Sequence, residues 1–380
     1  MSERHPLRGR CVIAGVGHTA YGRLPGRGTV SMNVEACRRA LADAGIEKDA
    51  VDGLLVKYPT SAFESMYGQK VAEAMGIQPR VGGVWDQAGA SNIGQIAFAC
   101  LSIEAGLCDV ALVSFADNPK SGSRHAYARP RGDGAPYGWF GTPAGYAMIA
   151  RRHMEEFATT TEQLAEVAVA CRAHGAANPD AQLRSPITVD DHERSRPIVD
   201  PLRRDDCCLV SDGGAAVVVT SAPRASELGV PDPVPILGFG EGQTSWDVHL
   251  RPTLTETCAR QSAETAFAMA GIGPGDVDVA ELYDCFTIVP VLTLEDYGFC
   301  RKGEGGRFVE DGNIRVGGGL PINTSGGLLS ETGMPGMQHV IEGVRQVRGS
   351  SPNQVPGAST VVVSNQGGMM HTHATLVLGR

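Results

Sequence analysis

The amino-acid sequence predicts a layered α/β fold made of two similar halves, and three observations indicate it. Residues 10–114 alternate short β-prone runs with helical segments in the order βαβαβαβ, which is typical of a sheet covered by helices. Residues 234–378 roughly repeat that order. The helix predicted over residues 92–105 is apolar on most of its faces, and such a helix belongs in a protein core rather than on a surface.

The elements of the first half follow from apolar runs and from helix start and stop signals. Four strands are predicted, at residues 10–16, 51–56, 81–85 and 110–114. Three helices are predicted between them and are each followed by a glycine, the residue that most often ends a helix; they cover residues 29–44, 62–75 and 92–105. A further strand of the same sheet is predicted at residues 209–220.

Residues 116–205 interrupt this alternation. They contain helical segments at residues 143–157 and 161–178 but no strand-like alternation. A connection of this length is too long for an ordinary loop, so it is predicted to be an inserted subdomain. Such an insert often covers a ligand cleft, although an elaborated surface segment would give the same pattern.

The second half is predicted from the same signals. Its strands are expected at residues 234–238, 277–282, 361–364 and 372–378, and its helices at residues 253–270, 286–297 and 327–346. The helix at 327–346 is the expected counterpart of the helix at 92–105, and both are expected between two packed sheets. The chain is therefore divided into three units, namely residues 1–115 with 206–225, residues 116–205, and residues 226–380.

Composition excludes several classes of function. The net charge is −9 and no basic run occurs, so nucleic acid and anionic membranes are poor partner candidates. The sequence has neither a run of about 18 apolar residues nor the apolar segment of a signal peptide, so a cytoplasmic location is expected. Ten cysteines occur without a CxxC pair. This spacing indicates reduced, mostly buried thiols, without a metal site or a disulfide framework.

The start of the predicted buried helix, at Gly89, Ala90, Ser91 and Asn92, is the first candidate site. Backbone N–H groups and the positive end of the helix dipole would point into the protein interior there. They would stabilise a negative thioester or enolate oxygen. A helix that is buried for structural reasons alone explains this stretch equally well.

Six segments between residues 151 and 368 resemble the thiolase superfamily, most closely the branch of the sterol-carrier-protein-x thiolases and the thiolase-like lipid-transfer proteins. The segments are RRHMEEFATTTEQLAEVAV (151–169), RAHGAANPDAQLRSPITVDD (172–191), DDCCLVSDGGAAVVV (205–219), ELYDCFT (281–287), LPINTSGGLL (320–329) and SNQGG (364–368). The resemblance implies two βαβαβαββ halves in a five-layer α-β-α-β-α arrangement, an inserted loop subdomain and a homodimer.

The resemblance also implies chemistry at the Cα–Cβ bond of an acyl-CoA, which thiolases perform with a cysteine nucleophile at the start of the first buried helix. Counting back from Gly106, that position falls on Gly89, and no cysteine lies between Cys37 and Cys100. Ser91 is close, but a serine there is more readily a helix cap than a nucleophile.

Three further thiolase features are missing. The Gly-His-Pro segment reads Thr332-Gly333-Met334-Pro335, with the histidine position at Gly333, or at Met334 after a one-residue slip. The late acid/base cysteine would fall within residues 363–366, where there is none, and the His-Asp-Cys-Phe segment begins with Tyr283. Acyl transfer through the usual residues is therefore not available.

Thiolase-like aldolases that shorten steroid side chains share these departures, since they lack the cysteine and carry Tyr-Asp at the positions of Tyr283 and Asp284. This resemblance implies retro-aldol cleavage of a β-hydroxyacyl-CoA, with a sterol-like or branched side chain, to a shortened acyl-CoA and a carbonyl product. Tyr283 is the main acid/base candidate, although a tyrosine packed at a strand end is an equally simple interpretation. These aldolases use a second tyrosine near Gly333, which is absent here. His371 or His373 could supply the missing base, but a histidine on a terminal strand more often has a packing role.

The remaining candidates have supporting roles. With the start of the buried helix, Gly367 and Gly368 would complete an oxyanion site, and Asn323 would orient the turn before the second buried helix. Cys285 is the cysteine nearest to the predicted cleft, although a buried small residue explains it more simply. No tightly bound cofactor is expected, and coenzyme A would enter as part of the substrate. Its phosphates would be bound by arginines that a solvated surface also explains, namely Arg124, Arg129, Arg131 and Arg151.

The sequence therefore supports a CoA-thioester C–C lyase as the first hypothesis. An acetyl-CoA acetyltransferase with a relocated nucleophile such as Cys285 is the second. The third is a non-catalytic subunit that binds acyl-CoA or lipid. Related enzymes act with a small zinc-ribbon/OB-fold protein, so the resemblance implies such a partner as well.

Overall fold

The first half of the chain folds as five strands and three helices in the predicted order. The computed structural model describes residues 5–123, 135–139, 141–245 and 248–380. The strands are β1 (Cys11–His18), β2 (Gly53–Val56), β3 (Val81–Val84), β4 (Val110–Asp117) and, after the insert, β7 (Gly213–Ser221). The helices are α1 (Thr29–Ala44), α2 (Tyr67–Met75) and α3 (Ser91–Glu104). The bounds of α1 agree with the prediction because Gly45, at φ 67°, ends the helix in the left-handed conformation.

In its described residues, 116–123, 135–139 and 141–205, the insert contains three α-helices and a short hairpin. Its elements are α4 (Thr142–Phe157), α5 (Thr161–Ala177), α6 (Val189–Arg194), β5 (Pro197–Val199) and β6 (Leu202–Arg203). The hairpin was not predicted. A capping box starts α5, in which the Thr160 hydroxyl accepts from the Gln163 N–H at 3.3 Å.

The second half repeats the first. A short helix α7 (Ala222–Glu227) links the halves, and the strands that follow are β8 (Val234–Gln243), β9 (Val279–Leu282), β10 (Thr360–Gly367) and β11 (Thr372–Gly379). The helices are α8 (Ala259–Ala270), α9 (Ile288–Asp296), α10 (Gly305–Phe308), α11 (Gly327–Ser330) and α12 (Met337–Arg348).

The sheet order reveals the internal symmetry. The strands lie in the order β3-β2-β4-β7-β1-β8-β11-β10-β9. A two-residue antiparallel pairing of β1 with β8, at Val12 and Ile13, joins the halves. From that junction the order β1-β7-β4-β2 matches β8-β11-β10-β9. A single parallel bridge between Ile322 and Ala280 stands where the first half has β3.

Two buried helices separate the two halves of the sheet. One apolar cluster combines α3 and α12 with strands from both halves. A second packs α1 and α2 on the outer face of the first half, and a third packs α8 and α9 on the outer face of the second. These clusters form the five layers α-β-α-β-α, which confirms the predicted fold class.

The predicted helix at residues 327–346 is wrong, because the chain forms α11 and α12 with a turn at Pro335 and Gly336 between them. Proline disfavours helical backbone in the residue before it, and Gly336 has φ 82°. The counterpart of α3 is therefore α12. The predicted helix at residues 253–270 begins only at Ala259, because threonine hydroxyls bind the backbone before it, as Thr257 does for the Ala259 N–H at 3.1 Å.

The insert packs on the second half. Tyr146 of α4 donates from its hydroxyl to the Gly368 carbonyl oxygen at 3.0 Å. Also on α4, His153 lies 3.0 Å from a Glu295 carboxylate oxygen of α9, and both side chains are fully buried. Seven of the ten cysteines are buried, as predicted. Within the described ranges, none of the helices has the length and apolar character needed to cross a membrane.

Candidate active site

A tight turn leads into α3. The Asp86 carboxylate accepts the Ala88 N–H at 2.9 Å. The Ser91 hydroxyl accepts the Gln87 N–H at 2.7 Å and donates to the Ala88 carbonyl oxygen at 2.7 Å. Ser91 is fully buried, and both of its hydrogen bonds hold the turn. The structure therefore gives this serine a backbone-fixing role.

The first backbone amides of this turn are already used. The Ala90 N–H donates to the Gln87 carbonyl oxygen at 3.2 Å, and the Ser91 N–H donates to the Ala88 carbonyl oxygen at 3.3 Å. These two residues are therefore not the free oxyanion donors that the sequence predicted. The positive end of the 14-residue helix α3 and the side chain of Asn92 remain to stabilise negative charge.

Gly89 lies directly against the hydroxyl of Tyr283. A Cβ atom at position 89 would lie 2.4 Å from the Tyr283 hydroxyl oxygen and 2.2 Å from the Gln366 carbonyl oxygen. Real Cβ atoms essentially never approach another heavy atom so closely, so no other residue fits at position 89 without movement. The phenol thus occupies the space beside the helix start where the resemblance places a cysteine nucleophile.

Parallel strands hold Tyr283 in this place. It follows β9, and its N–H donates to the Ser364 carbonyl oxygen of β10 at 3.0 Å. Strands β9 and β10 are parallel, so their carboxyl ends meet at one edge of the sheet. Only 8% of Tyr283 is exposed, and the low polarity around it strengthens any hydrogen bond that its hydroxyl makes.

The end of β10 packs against the same turn. A Cβ atom on Gly367 would lie 2.2 Å from the Gln87 carbonyl oxygen, and one on Gly368, at φ 67°, would lie 2.3 Å from the His371 ring. The Thr372 hydroxyl donates to the Gln87 carbonyl oxygen at 3.1 Å. The structure therefore brings Gly367 and Gly368 to the start of α3, with His371 behind Gly368.

His339 is a site residue that the sequence prediction missed. It lies in the first turn of α12, is fully buried, and its ring centre is 6.1 Å from that of Tyr283. Its Nε2 lies 3.2 Å from an Asp284 carboxylate oxygen. The break at Pro335 and Gly336 was the signal that could have revealed it, since the break puts His339 at a helix start instead of inside a long helix.

Polar side chains surround the turn at Pro335 and Gly336. The Asn92 amide donates to the Pro335 carbonyl oxygen at 2.6 Å, and the Asn365 amide lies next to Gly336. In the described ranges, the Asn92 Oδ1 atom and both amide atoms of Asn365 are buried without a hydrogen-bond partner. Burying such groups unpaired is costly, so they mark a place where a polar ligand would be stabilised.

Cys285, the cysteine that the sequence analysis placed nearest to the cleft, is also buried. Its thiol is 3.2 Å from the side-chain amide of Gln366, which also donates to the Tyr146 hydroxyl. Burial raises the pKa of the Cys285 thiol well above its ordinary value. The thiol is therefore protonated at neutral pH and is a poor nucleophile. Tyr146 reaches this position from the insert and was not predicted from the sequence.

His373 faces the outer helix layer. Its Nε2 lies 3.0 Å from the Tyr297 hydroxyl and 3.1 Å from the Ser364 hydroxyl. Burial lowers the pKa of His373 to about 3. Its neighbour Ala374 belongs to the central cluster, and successive strand residues point to opposite faces. The structure therefore does not bring His373 to the start of α3.

The other predicted residues also lie away from the Tyr283 hydroxyl. The Asn323 side chain accepts the Leu282 N–H at 2.6 Å and so supports the strand end that precedes Tyr283. Arg151 pairs with Asp200 at the surface. Three other predicted phosphate ligands, Arg124, Arg129 and Arg131, lie outside the described residues. Among the described residues, no group of three or more His, Cys, Asp or Glu side chains could hold a metal ion.

Two pseudo-symmetric halves around a pair of buried helices, with Tyr283 packed against the start of one of these helices, define a protein of the thiolase fold. Residues 240–380 match the family model described as Thiolase C-terminal domain-like. A steroid side-chain-cleaving aldolase from Thermomonospora curvata is 38% identical over 98% of both chains. A 17-hydroxy-3-oxo-4-pregnene-20-carboxyl-CoA lyase from Mycobacterium tuberculosis is 38% identical over 94% of this chain and 96% of its own.

Other relatives carry a different activity name. An acetyl-CoA acetyltransferase from Methanothermobacter thermautotrophicus is 33% identical over 97% of this chain and 99% of its own.

The solved Ltp2-ChsH2(DUF35) aldolase superimposes with a TM-score of 0.90 at 34% identity, covering 98% of both chains. The chain therefore belongs to the thiolase-like family that includes the sterol-carrier-protein thiolases and these aldolases.

Proposed function

We propose that the chain cleaves the Cα–Cβ bond of a β-hydroxyacyl-CoA by a retro-aldol reaction, giving a shortened acyl-CoA and a carbonyl product. It is a CoA-thioester C–C lyase, as the sequence predicted. One observation carries the proposal: the Tyr283 hydroxyl fills the space beside Gly89, 2.4 Å from where a Cβ atom would lie. An acid/base group thus replaces a nucleophile at the start of the buried helix.

The reaction needs proton transfer and enolate stabilisation but no covalent intermediate. A base takes the proton of the β-hydroxyl, the Cα–Cβ bond breaks, and its electron pair passes into the thioester as an enolate. The positive end of α3 stabilises the enolate oxygen. The Tyr283 hydroxyl then protonates Cα, since a phenol with a pKa near 10 suits proton donation to a carbanion-like carbon.

Acyl transfer fits these residues less well. A cysteine at position 89 would clash with the Gln366 carbonyl oxygen, and Cys285 is a buried, protonated thiol. Neither position supplies a thiolate. The geometry thus favours the lyase over the acetyltransferase activity for which some relatives are named.

We further propose a steroid or sterol-like acyl chain, because the aldolase and lyase relatives are named for steroid substrates. Coenzyme A would be part of the substrate, with no tightly bound cofactor. The solved aldolase is named together with ChsH2(DUF35), so a partner protein of that kind is proposed here too. Strand β3 pairs only with β2 in the described sheet. Its other edge is available for a second copy of the chain, and we propose a homodimer on that ground.

The test uses 17-hydroxy-3-oxo-4-pregnene-20-carboxyl-CoA, with the chain alone and with a ChsH2-type partner added. Wild-type protein should release the 17-ketosteroid and propionyl-CoA, since the bond broken joins the hydroxyl-bearing carbon to Cα. Tyr283→Phe should lose this activity by about 10²-fold or more, while Cys285→Ala should keep it. Cleavage that survives in Tyr283→Phe and disappears in Cys285→Ala would refute the proposal.

A further inference from the structure

We propose that His339 is the general base of this reaction, taking the proton of the substrate β-hydroxyl, with Asp284 as its positioning residue. The inference rests on the proposed function. It assigns the second proton-transfer group, for which the sequence offered only His371 and His373.

The position of His339 follows from the symmetry of the fold. Helices α3 and α12 are counterparts, and both start at the same place between the halves. A 2.6 Å hydrogen bond from the Asn92 amide of α3 to the carbonyl oxygen of Pro335, just before α12, joins the two helix starts. Tyr283 faces the start of α3. His339 lies in the first turn of α12, with its ring centre 6.1 Å from that of Tyr283. The two side chains therefore approach one space, Tyr283 from the end of β9 and His339 from the first turn of α12.

Asp284 fixes which nitrogen of His339 can accept a proton. Its carboxylate oxygens accept the N–H groups of Leu328 at 2.7 Å and Leu329 at 3.3 Å, so the carboxylate acts as an acceptor. The His339 Nε2 atom, 3.2 Å from the same carboxylate, must then donate. This leaves Nδ1 with its lone pair, and Nδ1 is buried without a hydrogen-bond partner in the described part of the chain.

The spacing of the two groups suits a β-hydroxyacyl thioester. The β-oxygen and Cα are separated by two bonds, and a base and an acid must each come within about 3 Å of its own atom. The two groups must therefore stand several ångströms apart on either side of the breaking bond. A ring separation of 6.1 Å is compatible with this arrangement.

The step balances with these two residues alone. His339 Nδ1 takes the β-hydroxyl proton and becomes an imidazolium, which the Asp284 carboxylate stabilises. The Cα–Cβ bond breaks to a carbonyl group and a thioester enolate, and the Tyr283 hydroxyl gives its proton to Cα. Transfer of one proton from the imidazolium to the Tyr283 phenolate restores the starting state.

The test separates cleavage from enolate formation. Cleavage of 17-hydroxy-3-oxo-4-pregnene-20-carboxyl-CoA needs both residues. Propionyl-CoA has no β-hydroxyl, and exchange of deuterium from D₂O into its Cα reverses only the last step, so it needs the Tyr283 phenolate and the start of α3. Exchange is measured near pH 10, where hydroxide from the solvent takes the phenol proton in place of His339. Both reactions are measured by mass spectrometry for wild type, His339→Gln, Tyr283→Phe and, as a matched control, His5→Gln, since His5 is exposed.

In His339→Gln we expect cleavage to fall about 10²-fold or more while exchange falls by less than about tenfold. Tyr283→Phe should lose both reactions, and His5→Gln neither. Retained exchange also shows that His339→Gln is folded.

Wild-type cleavage in His339→Gln would overturn the assignment while the lyase function stands. Equal loss of both reactions would overturn it in favour of a structural role. A wild-type protein without either reaction would refute the proposed function itself.

Discussion

Substitution of Gly89 by alanine tests the contact on which the proposed function depends. The added Cβ would lie 2.4 Å from the Tyr283 hydroxyl and 2.2 Å from the Gln366 carbonyl oxygen. The phenol can move, but the carbonyl belongs to the backbone of β10 and cannot rotate away. Overpacking of a core typically costs 1–3 kcal/mol, so Gly89→Ala should lower the free energy of unfolding by about 3 kcal/mol and displace Tyr283 enough to abolish cleavage.

Urea denaturation measures this loss, and Gly275→Ala is the matched control. A Cβ on Gly275 would meet nothing within 4 Å, so this control should cost no more than about 0.5 kcal/mol. In a Tyr283→Ala background the cost of Gly89→Ala should shrink by about 1 kcal/mol, because one of the two clashes is gone. If Gly89→Ala is as stable and as active as Gly275→Ala, Tyr283 does not lie against position 89.

Three further predictions follow from buried groups. Cys285→Ala should keep the cleavage rate within about twofold of wild type, because a protonated thiol takes no part in proton transfer. A loss of rate comparable to that of Tyr283→Phe would mean that Cys285 takes part in the reaction. His153→Gln should destabilise the protein by about 1–3 kcal/mol, because it removes one partner of the buried Glu295 carboxylate, which keeps Lys302 at 3.1 Å and the Gly305 N–H at 2.9 Å. Chemical denaturation measures this loss, and an unchanged midpoint would mean that the His153–Glu295 pair does not anchor the insert. Burial raises the pKa of Glu331 from 4.5 to about 7. The folded state thus holds a proton that the unfolded state loses, and stability falls by up to about 3 kcal/mol as pH rises from 4.5 to 7. Glu331→Gln should remove this dependence of the free energy of unfolding on pH, which urea denaturation at several pH values measures. An equal pH dependence in wild type and Glu331→Gln would contradict the prediction.

The sequence predicted most of the fold because its local signals agree with the tertiary structure. Helix α1 was predicted with the correct bounds from its apolar period and from Gly45. The repeat of the two halves was visible because each buries the same kind of helix. Thr253 to Thr257 were predicted as helical, but their hydroxyls hydrogen bond locally or to Asp296 instead, and a helical period alone does not show such competition.

The site was harder to predict because it joins distant parts of the chain. The sequence identified Tyr283 and Gly89 through the resemblance, but their contact is visible only in three dimensions. Tyr146 meets Gln366 from 220 residues away, and no sequence period marks that pairing. The second tyrosine that the resembling aldolases use near Gly333 is absent from this sequence, and a Cβ at Gly333 would lie 1.8 Å from the Leu209 carbonyl oxygen, so no larger residue fits there without movement. The ring of His339, whose centre lies 6.1 Å from that of Tyr283, comes close only through the fold.

The most direct test of the central claim is the intact mass of the protein during a single turnover of 17-hydroxy-3-oxo-4-pregnene-20-carboxyl-CoA, with products measured in the same quenched sample. The protein should stay unmodified throughout, and equal amounts of 17-ketosteroid and propionyl-CoA should form without added CoA. An acyl adduct on any cysteine, or cleavage that requires free CoA, would contradict the central claim. That outcome would mean that a thiolase-type acyl transfer takes place in this fold through a nucleophile other than residue 89.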